Sequence, residues 1–222
     1  DIYSYREAFL AMVDRVQRDH PDVVIQVDET NDYRLWPFES ISRGPTWFQN
    51  GAPLPPGLLH NIWDLAPYVP TPADVVDRML TLAKVGPRDV VYDLGCGDGR
   101  IVISAAQKFG ARGVGVDIDA NLINQAEANA KAAGVERRVK FLVQDAMTVD
   151  VSDATVVTLY LLSASNVKLR PILTRQLRRG ARIVSHSFAM GDWEPEVVDT
   201  FRDANGTSRT LYLWTTDGKP RP

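Results

Sequence analysis

A glycine-rich turn carries the densest group of residues in this sequence that could do chemistry. It reads Asp93-Leu-Gly95-Cys-Gly97-Asp-Gly99 and joins an apolar run to a helical pattern that begins at Arg100. Glycines at these positions let the backbone turn tightly, and they leave amide groups open to a ligand at the helix N-terminus. The carboxylate of Asp93 favours a ligand with a positive charge, such as an α-ammonium group, over a pyrophosphate, which it would repel.

Two other nucleotide-binding patterns fit this turn less well. The nicotinamide and flavin fingerprint, G-x-G-x-x-G, requires a third glycine at the position of Arg100. A phosphate-binding P-loop would continue with Gly-Lys-Ser or Gly-Lys-Thr, which the sequence does not have after Gly99. A nicotinamide oxidoreductase is therefore kept only as a disfavoured alternative.

Two more acids follow at the ends of the next predicted strands. Asp117 ends the second strand, 22 residues after Gly95, where a carboxylate can accept both hydroxyl groups of a ribose. Asp145 follows the third strand, where a carboxylate can accept a hydrogen bond from an adenine amino group. Three acids at three successive strand ends outline an adenosine that carries an amino acid, which is the structure of S-adenosylmethionine.

Residues 68 to about 190 resemble a class I S-adenosylmethionine-dependent methyltransferase in the order and spacing of these motifs. The resemblance implies that the glycine-rich turn is the first cofactor motif, that Asp117 binds the ribose and that Asp145 binds the adenine. The cofactor-binding set that it implies around these motifs is Asp93, Gly95, Cys96, Gly97, Gly99, Asp117, Ile118, Asp145 and Ala146. Cys96 has the alternative role of a small packing residue, because nothing near it in the sequence marks a nucleophile.

A closer resemblance is carried by two segments, Pro67-Tyr68-Val69-Pro70-Thr71-Pro72 and the glycine-rich turn with its following Arg100-Ile-Val102. Together they are similar to the lysine methyltransferases that act on the ATP synthase c subunit and to their bacterial relatives. In that group the segment from Tyr68 to Thr71 would close over the cofactor. The alternative is a proline-rich lead-in that only packs before a helix.

The methyl acceptor is predicted from the ends of the fourth and fifth strands. Tyr160 stands at the carboxyl end of the fourth strand and is the candidate catalytic residue that lines the acceptor site, with simple packing as the alternative. His186 ends the fifth strand and is expected to be a hydrogen-bonded structural histidine; a proton acceptor that faces the same crevice is its alternative. Many amino-directed methyltransferases carry Asn/Asp-Pro-Pro-Tyr here, whereas this chain has Leu159-Tyr-Leu-Leu-Ser163.

The departure from that pattern disfavours a nucleic-acid base as the acceptor. We therefore expect methyl transfer to a nitrogen acceptor, with a protein lysine ahead of a small molecule. A binding module for adenosine ligands that lacks catalysis is the alternative of a different class. A basic run from Lys168 to Arg182 is expected to be a solvated face, and a docking patch for an acidic partner is its alternative.

Composition excludes several other classes of function. The 222 residues carry a formal net charge of −3 and a single cysteine, which argues against a whole-chain basic field for nucleic acid, a disulfide framework and a cysteine-based zinc site. The three histidines are far apart, so no metal is expected. No apolar run is long enough to span a membrane, and the N-terminus lacks a signal-peptide layout. These features predict a cytoplasmic protein in a reducing compartment.

The elements that must position these residues alternate regularly after residue 70. Almost wholly apolar strands alternate with helices, which predicts an α/β, doubly wound, mostly parallel seven-stranded sheet covered on both faces. This is the Rossmann-like fold that the resemblance implies. Two final strands joined by Asp203-Ala-Asn-Gly206 predict an antiparallel edge hairpin. The predicted strands are 89–94, 113–117, 139–143, 155–162, 182–188, 196–201 and 209–214, and the predicted helices are 71–83, 100–109, 120–133 and 166–177.

The segment 1–67 has a different texture and is predicted to be a separate extension of the methyltransferase domain, which spans 68–222. It is rich in proline and tryptophan and holds a predicted helix, a short strand and a long arm or lid. Two stretches, 25–33 and 44–51, weakly resemble a fragment of an α-galactosidase-like glycosidase, so the chain could be a fusion joined near Tyr68. A barrel glycosidase needs about 200 residues or more, so no glycosidase site is expected. The extension is predicted to pack over the cofactor crevice or to form a homodimer contact.

Overall fold

The computed structural model describes residues 69–222. Tyr68 and the predictions made for 1–67, including the extension, its glycosidase resemblance and its dimer contact, lie outside the described residues. The helices are α1 (Ala73–Leu82), α2 (Arg100–Phe109), α3 (Ala120–Ala132) and α4 (Ser163–Gln176). The strands are β1 (Val90–Leu94), β2 (Arg112–Asp117), β3 (Val139–Val143), β4 (Val156–Leu159), β5 (Arg182–His186), β6 (Val197–Arg202) and β7 (Ser208–Thr215).

The described strands form one seven-stranded sheet in the order β3-β2-β1-β4-β5-β7-β6. The first five are parallel neighbours, and β7 runs antiparallel to both β5 and β6. The sheet reverses its winding direction between β1 and β4, which is where open α/β sheets bind their ligands. The predicted fold class, including the antiparallel edge hairpin, is confirmed.

Apolar side chains cover both faces of this sheet, because successive strand residues point to opposite sides. On one face Val91 of β1 packs with Met79 and Leu80 of α1, and on the other Leu94 packs with Leu169 and other apolar residues of α4. All residues of β1 and β4 are buried, as expected for central parallel strands. The described domain is one compact unit, Pro70–Pro222. Among its helices none is both long and apolar enough to cross a membrane.

Two strands end earlier than their apolar runs predict. β4 stops at Leu159, three residues before the predicted end, because the carbonyl of Leu162 accepts bonds from the amides of Ser165 and Asn166 and so begins α4 early. β5 stops at His186 because Ser187 takes a left-handed backbone conformation with φ of 65°. Tyr160 and Phe188 therefore lie beyond the ends of their strands, at the carboxyl edge of the sheet.

Candidate functional site

The glycine-rich turn is a compact backbone loop between β1 and α2. Gly95, Gly97 and Gly99 have φ values of 81°, 53° and 80°, a region that side-chain-bearing residues rarely adopt. A Cβ atom on Gly99 would lie 2.7 Å from a ring carbon of Phe141, and one on Gly95 would lie 2.8 Å from a methyl of Leu161. Glycine is therefore favoured at both positions by conformation, and at Gly99 also by space.

Asp117 fixes this turn from the end of β2. One carboxylate oxygen accepts the amide of Gly97 at 2.8 Å, and the other accepts the amide of Asp119 at 3.0 Å. An ionised carboxylate offers about four lone-pair positions, so Asp117 keeps acceptor capacity for further donors. The structure places this predicted ribose ligand between the glycine turn and the start of α3.

Asp93 lies in a strongly acidic and buried position. Its side chain is 2% exposed, and Oδ1 accepts the hydroxyl of Thr158 at 2.7 Å. Burial, together with the neighbouring carboxylates of Asp117 and Asp98, raises the pKa of Asp93 to about 7, although the Thr158 hydroxyl acts in the opposite direction. A positively charged ligand group would stabilise the ionised form. The residues present therefore fit a ligand that brings a cation to the end of β1.

Arg100 connects the turn to the segment before α1. Its guanidinium pairs with Asp98 at 2.7 Å and donates to the carbonyl of Thr71 at 2.9 Å. Thr71 is buried, and this bond ties its carbonyl to the residue that follows the glycine turn; its closure over the cofactor stays a prediction. Sequence reasoning used Arg100 to argue against a nicotinamide site and as part of the motif that carries the family resemblance, but it missed the structural role of this residue. The sequence signal that could have revealed this role is an arginine directly after a turn that contains an acid, Asp98.

The ends of β2 and β3 form a partly apolar surface. Ile118 and Val143 expose 52% and 57% of their area, which is unusual for large aliphatic side chains in a folded domain and suits contact with a flat ring. Asp145 is exposed and stabilises its own turn, since Oδ1 accepts the amide of Met147 at 2.8 Å. Ala146 beside it is half-buried. Val143 was not among the predicted site residues.

An aromatic cluster occupies the ends of β4 and β5. The rings of Tyr160 and His186 have centroids 4.1 Å apart, and those of Tyr160 and Phe188 have centroids 6.2 Å apart. Residue pairing between the strands and the two-residue period place Tyr160 on the same face of the sheet as Thr158 and Asp93. The structure therefore puts the predicted acceptor residue on the face that also carries the acidic end of the cofactor motif. Phe188 was missed because its run was assigned to the strand.

Among the described residues His186 lacks the hydrogen bonds expected of a structural histidine. The residue is fully buried, and neither ring nitrogen has a hydrogen-bond partner among the described residues. Burial and the guanidinium of Arg209 lower its pKa to about 4, against the opposite effect of Asp203. The imidazole is therefore neutral at physiological pH.

Two further predictions concern the packing residue Cys96 and the basic run. The Cys96 thiol is buried, and burial and the carboxylates of Asp93 and Asp117 raise its pKa, so it stays protonated. Its sulfur would lie 2.8 Å from a Cβ on Gly115, so it packs tightly against that glycine.

In the basic run, Arg170 pairs with Asp192 and Arg182 pairs with Asp89. Lys168, Arg175, Arg178 and Arg179 are exposed, as expected of a solvated face, whereas Arg170 and Arg182 are only partly exposed.

Comparison with known proteins places these motifs in a family context. Residues 93–197 match the model of the ANTKMT methyltransferase domain. A protein-lysine N-methyltransferase of Saccharolobus islandicus is 47% identical over 149 residues, which cover 67% of this chain and 92% of the relative. The human lysine N-methyltransferase of the ATP synthase c subunit is 30% identical over 60% of this chain, and the match spans only 56% of that relative.

A solved structure supports the cofactor. The structure of an RNA methyltransferase from Salinibacter ruber in complex with S-adenosyl-L-homocysteine is 54% identical, with a TM-score of 0.65, and the match covers 69% of this chain and 97% of that one. The resemblance to S-adenosylmethionine-dependent methyltransferases is thus confirmed, and so is the cofactor.

Proposed function

Since this chain belongs to the S-adenosylmethionine-dependent methyltransferases, we propose that it transfers the methyl group to the side-chain amine of a protein lysine. The observation that carries this proposal is the 47% identity to an archaeal protein-lysine N-methyltransferase across 92% of that relative. At such identity and coverage the two chains share the whole methyltransferase domain and not the cofactor motif alone.

The proposed cofactor contacts follow the geometry of the turn and the strand ends. Bound S-adenosylmethionine supplies a methyl group already activated on a sulfonium. Asp93 stabilises positive charge at the end of β1, and Asp117 accepts the ribose hydroxyls while it holds Gly97. Asp145 and Ala146 meet the adenine, with the apolar side chain of Ile118 against its ring. Thr71, held by Arg100, closes the site beside the glycine turn; the same role for Tyr68 lies outside the described residues.

The proposed acceptor site needs little acid–base machinery. A lysine amine must be neutral to attack, and an apolar aromatic surface disfavours the ammonium form by desolvation. Tyr160 and Phe188 supply such a surface next to the face that carries Asp93. This aromatic surface orients the amine and excludes water. Holding the reacting groups close together in this way supplies much of the rate enhancement in transfer reactions.

RNA is a second candidate acceptor, because the Salinibacter ruber relative, 54% identical, is described as an RNA methyltransferase. The absence of an Asn/Asp-Pro-Pro-Tyr sequence after β4 in this chain favours lysine. A small-molecule acceptor and a non-catalytic module that binds adenosine ligands are weaker alternatives.

One experiment separates these candidates. The purified full chain is incubated with S-adenosylmethionine labelled in its methyl group and, separately, with whole-protein extract, total RNA and a small-molecule fraction. We expect label in protein, released by acid hydrolysis as methylated lysine. Asp117→Ala is the matched control, since weaker cofactor binding should strongly reduce labelling at limiting cofactor. Label confined to RNA or to small molecules would overturn the lysine assignment, and no label in any fraction would favour the binding module.

The cytoplasmic location and the role of residues 1–67 are further parts of this proposal. The single cysteine supports a reducing compartment, and the different composition of the front segment supports a separate extension, which we propose forms a homodimer contact. Deletion of residues 1–60 should then change the oligomeric state. An unchanged oligomeric state would contradict the proposed role.

A further inference from the structure

Positive charge gathers at the amino edge of the described sheet, which is the edge opposite the glycine-rich turn. Parallel strands joined by helices all begin at one edge, so the turns before β1, β2 and β3 share this surface. Six exposed cations come from these turns and from the strand starts. We call them the basic edge, and they are Lys84, Arg88, Arg112, Arg137, Arg138 and Lys140.

The sheet register sets the cations of neighbouring strands side by side. Arg112 pairs in register with the first residue of β1, and Arg138 directly precedes the first residue of β3. Arg88 lies two residues before β1. The guanidinium of Arg138 also donates to the carbonyl of Gly110 at 3.0 Å, which holds it beside the turn before β2. The cations therefore form a row across three strands, with a spacing of about 5 Å between neighbouring backbones.

This row of cations is poorly neutralised. The acids in the same turns and strand starts are Asp89 and Glu136, and the carboxylate of Asp89 is already paired with Arg182. Within residues 69–222, none of the six cations of the basic edge forms an ion pair. Like charges that are held close together repel each other. The row therefore costs stability unless an anionic partner neutralises it.

Stabilisation of helices does not account for the basic edge. Basic side chains in the last turn of a helix interact favourably with the helix dipole. Arg88, Arg112 and Lys140, however, lie in a turn or in strands, and Arg137 comes five residues after the end of α3. A whole-chain net charge of −3 is compatible with this local positive field, because acids such as Asp117 stand at the opposite, carboxyl edge of the sheet.

The side-chain types favour phosphate as the anion and a nucleic acid as its source. Four of the six cations are arginines, and a guanidinium binds two phosphate oxygens at once. A nucleic acid carries a phosphate about every 3.4 Å along each strand, a spacing that a row of cations can follow. Attachment to a membrane surface also uses buried apolar side chains. Among the described residues, none of the large apolar side chains that are exposed lies in these turns or strand starts.

We propose that the basic edge is a docking surface for the phosphate backbone of a nucleic acid. Contacts to phosphate carry no sequence information, so this surface binds RNA or DNA whatever the base sequence. The five residues of β1 span about 15 Å, which keeps a nucleic acid at this edge away from the cofactor motif at the other. The docked protein thus keeps its proposed transfer site free for the acceptor. This inference goes beyond the proposed function and does not depend on lysine as the acceptor.

The test measures the fluorescence anisotropy of labelled RNA and DNA with the purified full chain. Both probes have mixed sequence and a length of about 20 nucleotides, and the salt concentration runs from about 50 to about 200 mM. Two variants each remove two cations of the basic edge, Arg112→Ser/Arg137→Ser and Arg88→Ser/Lys140→Ser. Two separate pairs are used so that the result does not depend on the folding of one variant. The melting temperature and the affinity for S-adenosylhomocysteine report whether each variant is folded.

The matched control is Lys168→Ser/Arg202→Ser. It removes the same charge from exposed positions in the first half of α4 and at the carboxyl end of β6. Both of these positions lie away from the basic edge, so the control separates the local row of cations from the total charge of the chain.

We expect wild type to bind both nucleic acids with micromolar affinity at the lowest salt and to lose affinity steeply as salt rises, because bound phosphates release their counterions. Each basic-edge variant should bind about tenfold or more weakly at about 100 mM salt and show a shallower salt dependence, since two phosphate contacts are lost. The control should stay within about threefold of wild type. Affinity for S-adenosylhomocysteine should be unchanged in every variant.

Three results would contradict the proposal. One is no binding of either nucleic acid at the lowest salt. Another is equal weakening in the control and the basic-edge variants, which would show that only the total charge matters. The third is equally tight binding to poly-L-glutamate or to vesicles of phosphatidylserine and phosphatidylcholine, which would indicate an acidic protein or a membrane as the partner. Because anisotropy requires no methyl acceptor, this proposal and the lysine assignment succeed or fail independently.

Discussion

The cofactor side and the acceptor side of the proposed site are built on opposite principles. On the cofactor side, at the ends of β1, β2 and β3, the carboxylates are engaged by backbone amides or a hydroxyl, as Asp117 is by Gly97 and Asp93 is by Thr158. On the acceptor side, at the ends of β4 and β5, aromatic rings pack together and the nitrogens of His186 have no partner among the described residues.

The difference shows that bonds within the chain already fix the polar groups of the proposed cofactor side. The cofactor side is prearranged by local bonds and needs little change to receive a ligand, which lowers the cost of binding. The proposed acceptor side offers packed aromatic rings instead of polar groups held ready for a ligand. We expect substitutions on the first side to change stability or cofactor affinity, and those on the second to change transfer alone.

The largest effect should come from Gly99→Ala. The new Cβ would meet Phe141 at 2.7 Å in a backbone conformation with φ of 80°. Overpacking and strain together should lower the free energy of unfolding by about 2 to 4 kcal/mol. Gly206→Ala is the control, since its φ is also 80° but nothing lies within 4 Å, and it should cost only about 1 kcal/mol. Equal losses in urea unfolding would show that the contact with Phe141 is unimportant.

Asp117→Ala should weaken cofactor binding by about 1 to 3 kcal/mol, because charge-assisted hydrogen bonds to the ribose and the anchor of Gly97 are both lost. Calorimetry with S-adenosylmethionine and S-adenosylhomocysteine measures this directly. Asp77→Ala removes an exposed acid that pairs with Lys108 at 2.7 Å and serves as the control, with cofactor affinity unchanged. Wild-type affinity in Asp117→Ala would contradict the ribose role.

Tyr160→Ala should distinguish most clearly between the proposed acceptor side and the proposed cofactor side. Loss of the aromatic wall is expected to reduce kcat/KM for the acceptor by about 10- to 100-fold, which is typical when positioning is lost. Affinity for S-adenosylhomocysteine should stay within about twofold. Tyr160→Phe keeps the ring and should retain most of the activity. A matching fall in cofactor affinity in Tyr160→Ala would place this residue on the cofactor side.

The smallest expected effect is a pH dependence that originates at Asp93. With a pKa of about 7, this carboxyl becomes ionised as the pH rises from 6 to 8, so affinity for the cationic cofactor should increase by up to about tenfold. In the ligand-free protein, stability changes with pH in the opposite direction to cofactor affinity. The folded state holds the proton more tightly than the unfolded state, so stability should fall as the pH rises from about 4 to about 7 and then level off. Asp93→Asn should flatten both curves, and an unchanged slope in either would show that another group titrates.

The sequence alone determined the fold and the cofactor. Apolar strands alternating with helices define a parallel sheet whatever the details of packing. The turn from Asp93 to Gly99 is a local motif whose function depends on residues close in the chain. Element bounds were accurate where glycine or proline ends a pattern, as at α2, which was predicted and observed at Arg100–Phe109.

Only the tertiary structure decided how the acceptor side is assembled. The strand ends near Tyr160 and Phe188 were misplaced because apolar runs continue past the sheet, and the early start of α4 and the turn at Ser187 are set by contacts across the chain. Val143 and the bond from Arg100 to Thr71 were missed for the same reason. Whether a histidine nitrogen finds a partner depends on residues far away in sequence, and the unpartnered state of His186 follows from packing that no local pattern encodes.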